Sequence, residues 1–470
     1  MIRHSVLYSL ARLGAGLLTV ATLAVFTRML TPSDYGLYAI GMTIASISST
    51  LLFQWLNVAV GRFYPMFIDR PGVLVAATRR GFVIASLIAL ACFLVAAVFG
   101  HRLGVAFSFL LLVILATFAL GFYNLMLQMA NAKGNSLHYA LLSWIKAAVT
   151  LAAGALFIFL GGAGRGAFLG VISGIVFAVI IINPLKGVKP LASAEASKLG
   201  RTLFSYGMPL TLTFLGSLAV DFADRLLIAW RLGTGQVGPY AAAYDFTTQA
   251  IGSILNILFL AAFPFIVRVF DHEGEEAVRT PMRSLGRSII VLGLPAAVGF
   301  SAVSVDVAHL LLGESFRSDA ARIMPIMAGA LWLFGFKAYY LDVVFQLRRV
   351  TSYQAFISLA MMVLNVTLNV ALLSRYGIVA AAWATVAAFA LGATLSFYLG
   401  RRLMTLHSLR TDLLKTAAAS GLMAVIILLV PGSRGISLLV VKVTLGVAAY
   451  IGLAWMLNLA EARTWLSTRG

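Results

Sequence analysis

Long apolar stretches separated by short polar loops are the feature that most restricts the fold of this chain. Of its 470 residues, 61% are hydrophobic and 11% are charged, and the mean hydropathy is +0.98. A soluble globular protein of this size needs far more polar surface to face water. A transmembrane β-barrel would show short alternating segments instead of long apolar runs. The sequence therefore predicts an all-α polytopic membrane protein.

The apolar stretches predict fourteen membrane-spanning helices, each of roughly 20 residues or more. Turn and breaker residues, such as Thr31-Pro32 and Gly161-Gly162, separate many of them. The predicted spans are 7–30, 36–60, 81–100, 104–130, 138–160, 166–185, 205–232, 238–268, 284–306, 322–347, 351–373, 377–400, 412–431 and 435–459.

One helical module occurs twice, at a constant offset. The matching positions are Leu13-Gly14 with Leu215-Gly216, Leu30 with Leu232, Gly36 with Gly238, Tyr38 with Tyr240 and Ala39 with Ala241. Six spans precede the second copy, so both copies enter the membrane in the same direction, which predicts two lobes with a site between them. We expect six-helix lobes at 1–185 and 205–402, a cytoplasmic linker at 186–204, and two additional helices with a short tail at 403–470.

The distribution of lysine and arginine predicts the orientation. With the N-terminus inside, the inner segments hold 22 of these residues and the outer segments hold eight. Both termini are therefore expected in the cytoplasm. Because the basic residues are dispersed over short loops, the net charge of +19 fits an anionic membrane leaflet and not a nucleic-acid partner.

Motifs of several enzyme classes are absent from the sequence. There is no G-x-x-x-x-G-K-[ST], no H-E-x-x-H, no Cys/His metal set and no G-x-S-x-G. We therefore expect neither an ATP-driven pump nor an enzyme, and no metal or cofactor.

Two lysines lie deep within predicted spans. Lys337 is near the middle of the tenth span and Lys146 about a third of the way into the fifth. Asp342, five residues after Lys337, would lie about 140° around an ideal α-helix, so it is expected to be an imperfect partner. Lysines at this depth need a counter-ion or a wet cavity. A phosphate or pyrophosphate headgroup would supply the counter-ion.

Three arginines are further candidates for the same site. Arg12 is nearer the cytoplasmic face of the first span, and Arg28 and Arg268 lie at helix ends. For the last two, snorkelling to lipid headgroups is the simpler explanation. For Arg12 both interpretations stay open.

A second set of charges could serve ion coupling or gating. Asp221, Asp224 and Arg225 share one side of the seventh span, and Asp245 follows in the eighth. An Asp221–Arg225 pair within the helix is the simpler interpretation of Asp221, whereas Asp224 and Asp245 are candidates for proton or sodium coupling. Asn365 and Asn369 share a face of the eleventh span, where interhelical hydrogen bonding is expected.

Three segments carry a resemblance to a known family. They are R-M-L-T-P-S-D-Y-G-L-Y at 28–38, D-R-L-L-I-A-W-R-L-G-T-G-Q-V-G-P-Y-A-A-A-Y at 224–244 and L-N-V-T-L-N-V-A-L-L-S-R-Y-G-I-V-A-A-A-W-A-T at 364–385. They resemble bacterial O-antigen and exopolysaccharide flippases of the multidrug/oligosaccharidyl-lipid/polysaccharide exporter superfamily.

The resemblance implies two six-helix lobes around a cationic cavity in the inner membrane. It also implies a substrate, an undecaprenyl-pyrophosphate-linked oligosaccharide that moves from the inner to the outer leaflet. Of the site residues it carries over only Asp224, Arg225 and Arg28; Lys146 and Lys337 rest on their depth. Membrane lipids, a sodium ion or proton, and polysaccharide assembly proteins are the other partners to consider.

Two other functions are weighed against this one. A sodium- or proton-coupled multidrug exporter would need an acidic lumen, and the deep lysines argue against it. A membrane glycosyltransferase or polymerase would need long outer loops, whereas the longest here, about 307–321, holds few charged residues.

Overall fold

A computed structural model describes residues 2–102, 106–191, 193–432 and 435–459, except for the side chains of 2–13, 100–102 and 212–221. Within these ranges the chain forms helices and no strand. The first helices are α1 (Ile2–Met29), α2 (Pro32–Phe63), α3 (Pro71–Arg102), α4 (Phe107–Ala132), α5 (Ser136–Phe157), α6 (Ala163–Ile181), α7 (Ala194–Leu232) and α8 (Thr234–Thr247). The others are α9 (Ser253–Ser288), α10 (Leu294–Leu311), α11 (Glu314–Phe336), α12 (Val343–Leu347), α13 (Ser352–Tyr376), α14 (Ile378–Leu403), α15 (Arg410–Leu429) and α16 (Ile436–Met456).

Each of the fourteen predicted spans coincides with helix, which confirms the all-α polytopic fold. Among the described residues, ten uninterrupted runs are long and apolar enough to cross a membrane. Two of these runs, Ser136–Ile181 and Thr234–Leu311, each hold two predicted spans. The helical geometry of these two runs is interrupted at Gly161 (φ 90°) and Gly274 (φ 85°), where glycine adopts positive φ without a steric penalty. The first and seventh spans correspond to α1 and α7.

Among the described residues, four π-helical turns interrupt the α-helical architecture. They are Ile158–Gly162, Thr248–Gly252, Ile289–Gly293 and Lys337–Leu341. A π-turn inserts one extra residue between hydrogen-bonded partners, so it shifts which side chains share a face and frees backbone carbonyls for other donors. In the third turn, Ile289 O accepts from Trp332 Nε1 and Val291 O accepts from the Tyr450 hydroxyl, at 3.4 and 2.6 Å.

Contacts divide the chain into two compact units, Met1–Arg225 and Leu226–Gly470. The core of the first unit is formed by α2, α3, α4 and α6 with the start of α7. Large, fully buried side chains such as Leu56, Leu74 and Met129 fill it. Helices α5 and α6 approach closely because Gly170 and Gly174 of α6 lie against the backbone of α5.

The start of α7 packs on the first unit, so the division between units falls within α7. Ser193 caps this helix by accepting from Ala196 N at 3.1 Å, and half of the predicted linker is therefore helical. Trp55 of α2 contacts the Phe204 ring edge-on at a centroid distance of 5.2 Å. On the exposed side Arg80 donates to Ser197 Oγ at 2.7 Å. The proposed lobe boundaries at 185 and 205 stay a prediction.

In the second unit, α9, α11 and the Lys337–Leu341 turn form the core. Helices α15 and α16 pack on α10, and α15 also contacts the Ile289–Gly293 turn. Two ion pairs join these helices. Lys442 Nζ of α16 lies 2.7 Å from Asp306 Oδ2 of α10, and Arg287 Nε of α9 lies 3.3 Å from Asp412 Oδ1 of α15. The two additional helices are therefore attached to this unit by polar contacts as well as by packing.

The close approach of α5 and α6 generates a stability prediction. A Cβ at Gly174 would lie 2.6 Å from the Lys146 backbone oxygen, so Gly174→Leu should push the helices apart and lower the free energy of unfolding by about 1–3 kcal/mol. Gly421→Leu on α15 is the matched control, because nothing lies within 4 Å of its Cβ position. Thermal unfolding in detergent measures both, and equal midpoints would contradict the packing argument.

Candidate functional site

Lys146 is the deep lysine of the first unit. Helix α5 begins at Ser136, where the Asn135 side chain accepts from His138 N at 3.0 Å, and Lys146 follows about 15 Å further along the helix. Its ammonium lies 4.7 Å from the centroid of the buried Tyr123 ring of α4, in cation–π geometry. The residue as a whole is partly exposed.

Among the residues that the structure describes, no carboxylate forms an ion pair with this ammonium. Residues 70–194, which hold α3 to α6, contain no aspartate or glutamate at all. Among the described residues, Lys146 forms no ion pair, and the Tyr123 ring is its one cation contact. An aromatic face offsets only part of the desolvation of a charge at membrane depth. The role of Lys146 in binding an external anion stays a prediction. The segment without aspartate or glutamate can be read from the sequence. The sequence analysis nevertheless chose Lys146 only from its position within a predicted membrane span.

Lys337, the deep lysine of the second unit, has a partner of its own. Its Nζ lies 2.6 Å from Asp342 Oδ2, and each side chain is about 5% exposed. Asp342 Oδ1 accepts from Ser396 Oγ of α14, also at 2.6 Å. The expectation that Asp342 would be an imperfect partner is therefore wrong.

The π-turn Lys337–Leu341 is the reason. Asp342 N donates to Lys337 O at 2.8 Å, which is an i→i+5 bond. This register brings residues five apart onto one face, whereas an ideal α-helix separates them by about 140°. The bulge could not be read from the sequence, since apolar patterning does not report a single inserted residue.

Neighbouring helices complete the surroundings of the pair. Gln354 Nε2 of α13 donates to Asp342 O at 3.4 Å. A Cβ at Gly392 of α14 would lie 3.0 Å from Lys337 Cε, so the absence of a side chain there makes room for the lysine. The two deep lysines thus differ: Lys337 is neutralised within its unit, whereas Lys146 is not.

No described contact joins the remaining predicted site residues to Lys146 or Lys337. Arg28 and Arg268 are exposed near the end of α1 and within α9, while Asp224 and Arg225 of α7 are buried and Asp245 of α8 is partly buried. Arg225 also lies 5.7 Å from the Phe222 ring centroid. The side chains of Arg12 and Asp221 lie outside the described residues. The functional roles assigned to all seven stay predictions.

Of the two asparagines of α13, Asn365 forms the expected interhelical hydrogen bond, whereas Asn369 donates within its own helix. Both are fully buried. Asn369 Nδ2 donates to Asn365 O at 2.9 Å, and Asn365 Nδ2 donates across to Thr385 Oγ1 of α14 at 3.5 Å. Within the described part of the chain, no group of three or more His, Cys, Asp or Glu side chains is arranged to hold a metal ion.

The buried pair generates a double-mutant prediction. Lys337→Met leaves the Asp342 carboxylate buried without its counter-ion, which should lower the free energy of unfolding by about 3–5 kcal/mol. The doubly neutral variant K337M/D342N should recover most of this loss, because neither charge is then desolvated. Unfolding midpoints of the two single variants and the double variant form the cycle. A double variant less stable than both singles would exclude a direct pair.

Comparison with known proteins places this fold. The family model described as polysaccharide biosynthesis protein matches residues 2–270, more than half of the chain. No curated protein matches the chain at a significant level.

Solved structures share the architecture at low sequence identity. The lipid II flippase MurJ, in an inward closed conformation, is similar with a TM-score of 0.79 and 14% identity over 96% of this chain and 99% of that one. An inward-facing multidrug resistance MATE family transporter of the MOP superfamily has a TM-score of 0.64 and 16% identity over 84% and 97%. The MATE transporter VcmN from Vibrio cholerae, solved as a mutant, has a TM-score of 0.58 and 15% identity over 85% and 95%.

At these identities the structures support the fold alone, and the family model supports membership. The chain thus shares its all-helical architecture with the lipid II flippase MurJ and with a MATE family transporter of the MOP superfamily. The chain belongs to the polysaccharide biosynthesis protein family.

Proposed function

We propose that this protein flips an undecaprenyl-pyrophosphate-linked oligosaccharide from the cytoplasmic to the outer leaflet, by alternating access, for polysaccharide biosynthesis. The single observation that carries the proposal is the unbalanced ammonium of Lys146 in a membrane region without any carboxylate. Family membership supports the link to polysaccharides, and the fold is that of a protein named as a lipid II flippase.

A pyrophosphate suits Lys146 for physical reasons. Its oxygens are strong acceptors with multiple negative charge, and a lysine binds them as a point charge. Tyr123 stabilises the ammonium through its ring face, and the N–H groups that do not point at the ring remain for the phosphate oxygens. The polyprenyl tail would stay in the lipid while the sugars cross in water. Neither the family nor the fold relatives are named as enzymes, and we propose no catalytic step.

The other cations take secondary parts in this proposal. Arg12, Arg28 and Arg268 remain candidates for contacts to the headgroup. Lys337 would contribute only after release from Asp342. Asp224, Arg225, Asp245 and Asp221 remain candidates for coupling to sodium or protons, or for gating. Polysaccharide assembly proteins remain candidate partners.

Flipping in proteoliposomes tests the role of Lys146. With a fluorescent polyprenyl-pyrophosphate oligosaccharide, Lys146→Met should slow flipping at least about 10-fold, which corresponds to the loss of one charge-assisted contact of about 1.4 kcal/mol or more. Lys146→Arg keeps the charge and should retain most of the activity. The doubly neutral variant K442M/D306N removes a paired charge without leaving a buried carboxylate unpaired, and serves as a control for charge loss elsewhere. Equal rates for wild type and Lys146→Met would contradict the site.

The alternative function is that of a sodium- or proton-coupled multidrug exporter. It remains a candidate because the chain shares its fold with MATE transporters. The same proteoliposomes distinguish the two functions. If wild type moves no lipid-linked oligosaccharide under any ion gradient but exports cationic dyes, the exporter function replaces the flippase function. An unbalanced lysine repels cationic drugs, so we expect no dye export.

We also propose an inner-membrane location with both termini in the cytoplasm, on the basis of the loop lysines and arginines. A C-terminal green fluorescent protein fusion should fluoresce, and a C-terminal alkaline phosphatase fusion should be inactive. Alkaline phosphatase inserted near Gly313, in the connection between α10 and α11 that we expect on the outer side, should be active. An active C-terminal phosphatase would reverse the topology.

A further inference from the structure

Two arginines stand at the point where α3 becomes apolar. Arg79 and Arg80 are exposed and directly precede the predicted span 81–100. Neither forms an ion pair with a described residue, and α3 contains no aspartate or glutamate. Arg80 is held in place nevertheless, because its Nη1 donates to Ser197 Oγ of α7 at 2.7 Å. The two side chains therefore present positive charge at one end of a membrane-spanning helix.

The start of α7 adds a third arginine to this surface. Arg201 is exposed and follows Ser197 by four residues, so the two side chains share a face of the helix. Phe204, which is 51% exposed, lies about one turn further along that face. Glu195 supplies the only carboxylate of residues 194–220, and it lies 3.5 Å from Arg70. The positive charge of Arg201 is therefore left for a ligand from outside the chain.

An apolar stripe runs along α3 away from the arginines. Its members recur every three or four residues and are each at least 43% exposed: Val83, Leu87, Leu90 and Leu94. At about 100° per residue, the stripe lies between the directions in which the two arginines of α3 point. It is about 17 Å long, and one leaflet of the bilayer core is about 15 Å thick. The stripe therefore matches the length of a lipid acyl chain.

We propose that this surface binds one anionic phospholipid, with its phosphate between Arg79, Arg80 and Arg201 and its acyl chains along the stripe from Val83 to Leu94. Arginine binds phosphate oxygens through charge-assisted hydrogen bonds, and its planar fork can do so bidentately. Because the arginines belong to two helices, the bound phosphate bridges α3 and the start of α7. The inference concerns a lipid of the surrounding membrane and does not depend on the proposed transport of a lipid-linked oligosaccharide.

The combination of charge and apolar surface selects the occupant. A free phosphate would use the arginines and leave the stripe without a partner. A zwitterionic phospholipid would fit the stripe, but its own cationic group offsets the charge of its phosphate. An anionic phospholipid such as phosphatidylglycerol is complementary to both parts. On the proposed topology this end of α3 is cytoplasmic, and anionic lipids give the cytoplasmic leaflet its negative surface potential.

A second arginine pair provides the comparison. Arg401 and Arg402 lie exposed in the last turn of α14. Arg401 is 5.9 Å from the centroid of the Phe397 ring on its own helix, and no described hydrogen bond joins either arginine to another helix. We expect this pair to attract anionic lipids without selecting a single one.

Native mass spectrometry of the full-length protein in detergent tests the proposal, because it counts bound lipids individually. Wild type should bind one phosphatidylglycerol at least about 10-fold more tightly than phosphatidylcholine with the same acyl chains. R79Q/R80Q should lose most of this preference. R201Q should lower it as well, although every charge of α3 stays in place. R401Q/R402Q is the matched control and should keep the preference.

The outcomes distinguish a built site from general surface charge. Equal losses in R79Q/R80Q and R401Q/R402Q would overturn the inference. A wild type without preference would overturn it too, and is the result expected if the surface instead meets an acidic protein. Should R79Q/R80Q fail to fold, an unchanged preference in R201Q contradicts the site.

A competition experiment identifies the source of the phosphate. A C15 prenyl pyrophosphate at equal concentration should leave the bound phosphatidylglycerol in place. Its displacement would assign the surface to the transported substrate and contradict the phospholipid site. A failure of the flipping assay alone contradicts the proposed function and leaves this inference intact, because counting bound lipids does not require transport.

Discussion

The cost of placing charge where water is scarce is the constraint on which this structure depends. A charged side chain within the membrane must meet an opposite charge, a polar cavity or an external ion. Three lysines of the described residues illustrate how this requirement is met. Lys442 of α16 and Asp306 of α10 form an ion pair. Lys337 and Asp342 form an ion pair within one helical turn. Among the described residues, Lys146 contacts the face of the Tyr123 ring and forms no ion pair.

The helices can meet these requirements because their backbones depart from regular geometry at a few places. The π-turn at Lys337–Leu341 aligns the buried pair, and the one at Ile289–Gly293 supplies carbonyls to Trp332 and Tyr450. Glycines do the complementary work of removing side chains. Gly392 admits Lys337, and Gly174 allows α6 to lie on α5 beside Lys146. The irregular backbone at these positions is therefore what allows the charged side chains to be accommodated.

The fold does not distinguish a lipid flippase from a drug exporter, since structures of both kinds share it with this chain. The distinction has to come from the charges. An exporter of cations requires acidic side chains that face its cargo, whereas residues 70–194 contain none and hold Lys146 at membrane depth. This contrast, together with membership of the polysaccharide biosynthesis family, favours an anionic lipid-linked substrate.

The sequence by itself determined the membrane class, the fourteen spans and the depth of both lysines, because long apolar runs and the positions of charges within them are one-dimensional properties. It also contained the acid-free segment that isolates Lys146. Only the tertiary structure decided that Lys337 is paired, because a single inserted residue rotates Asp342 onto its face and Ser396 arrives from 54 residues away. It likewise decided that α7 begins within the predicted linker, since side chains of the first unit hold that segment. Such contacts depend on backbone register and on partners distant in the chain, which apolar patterning does not encode.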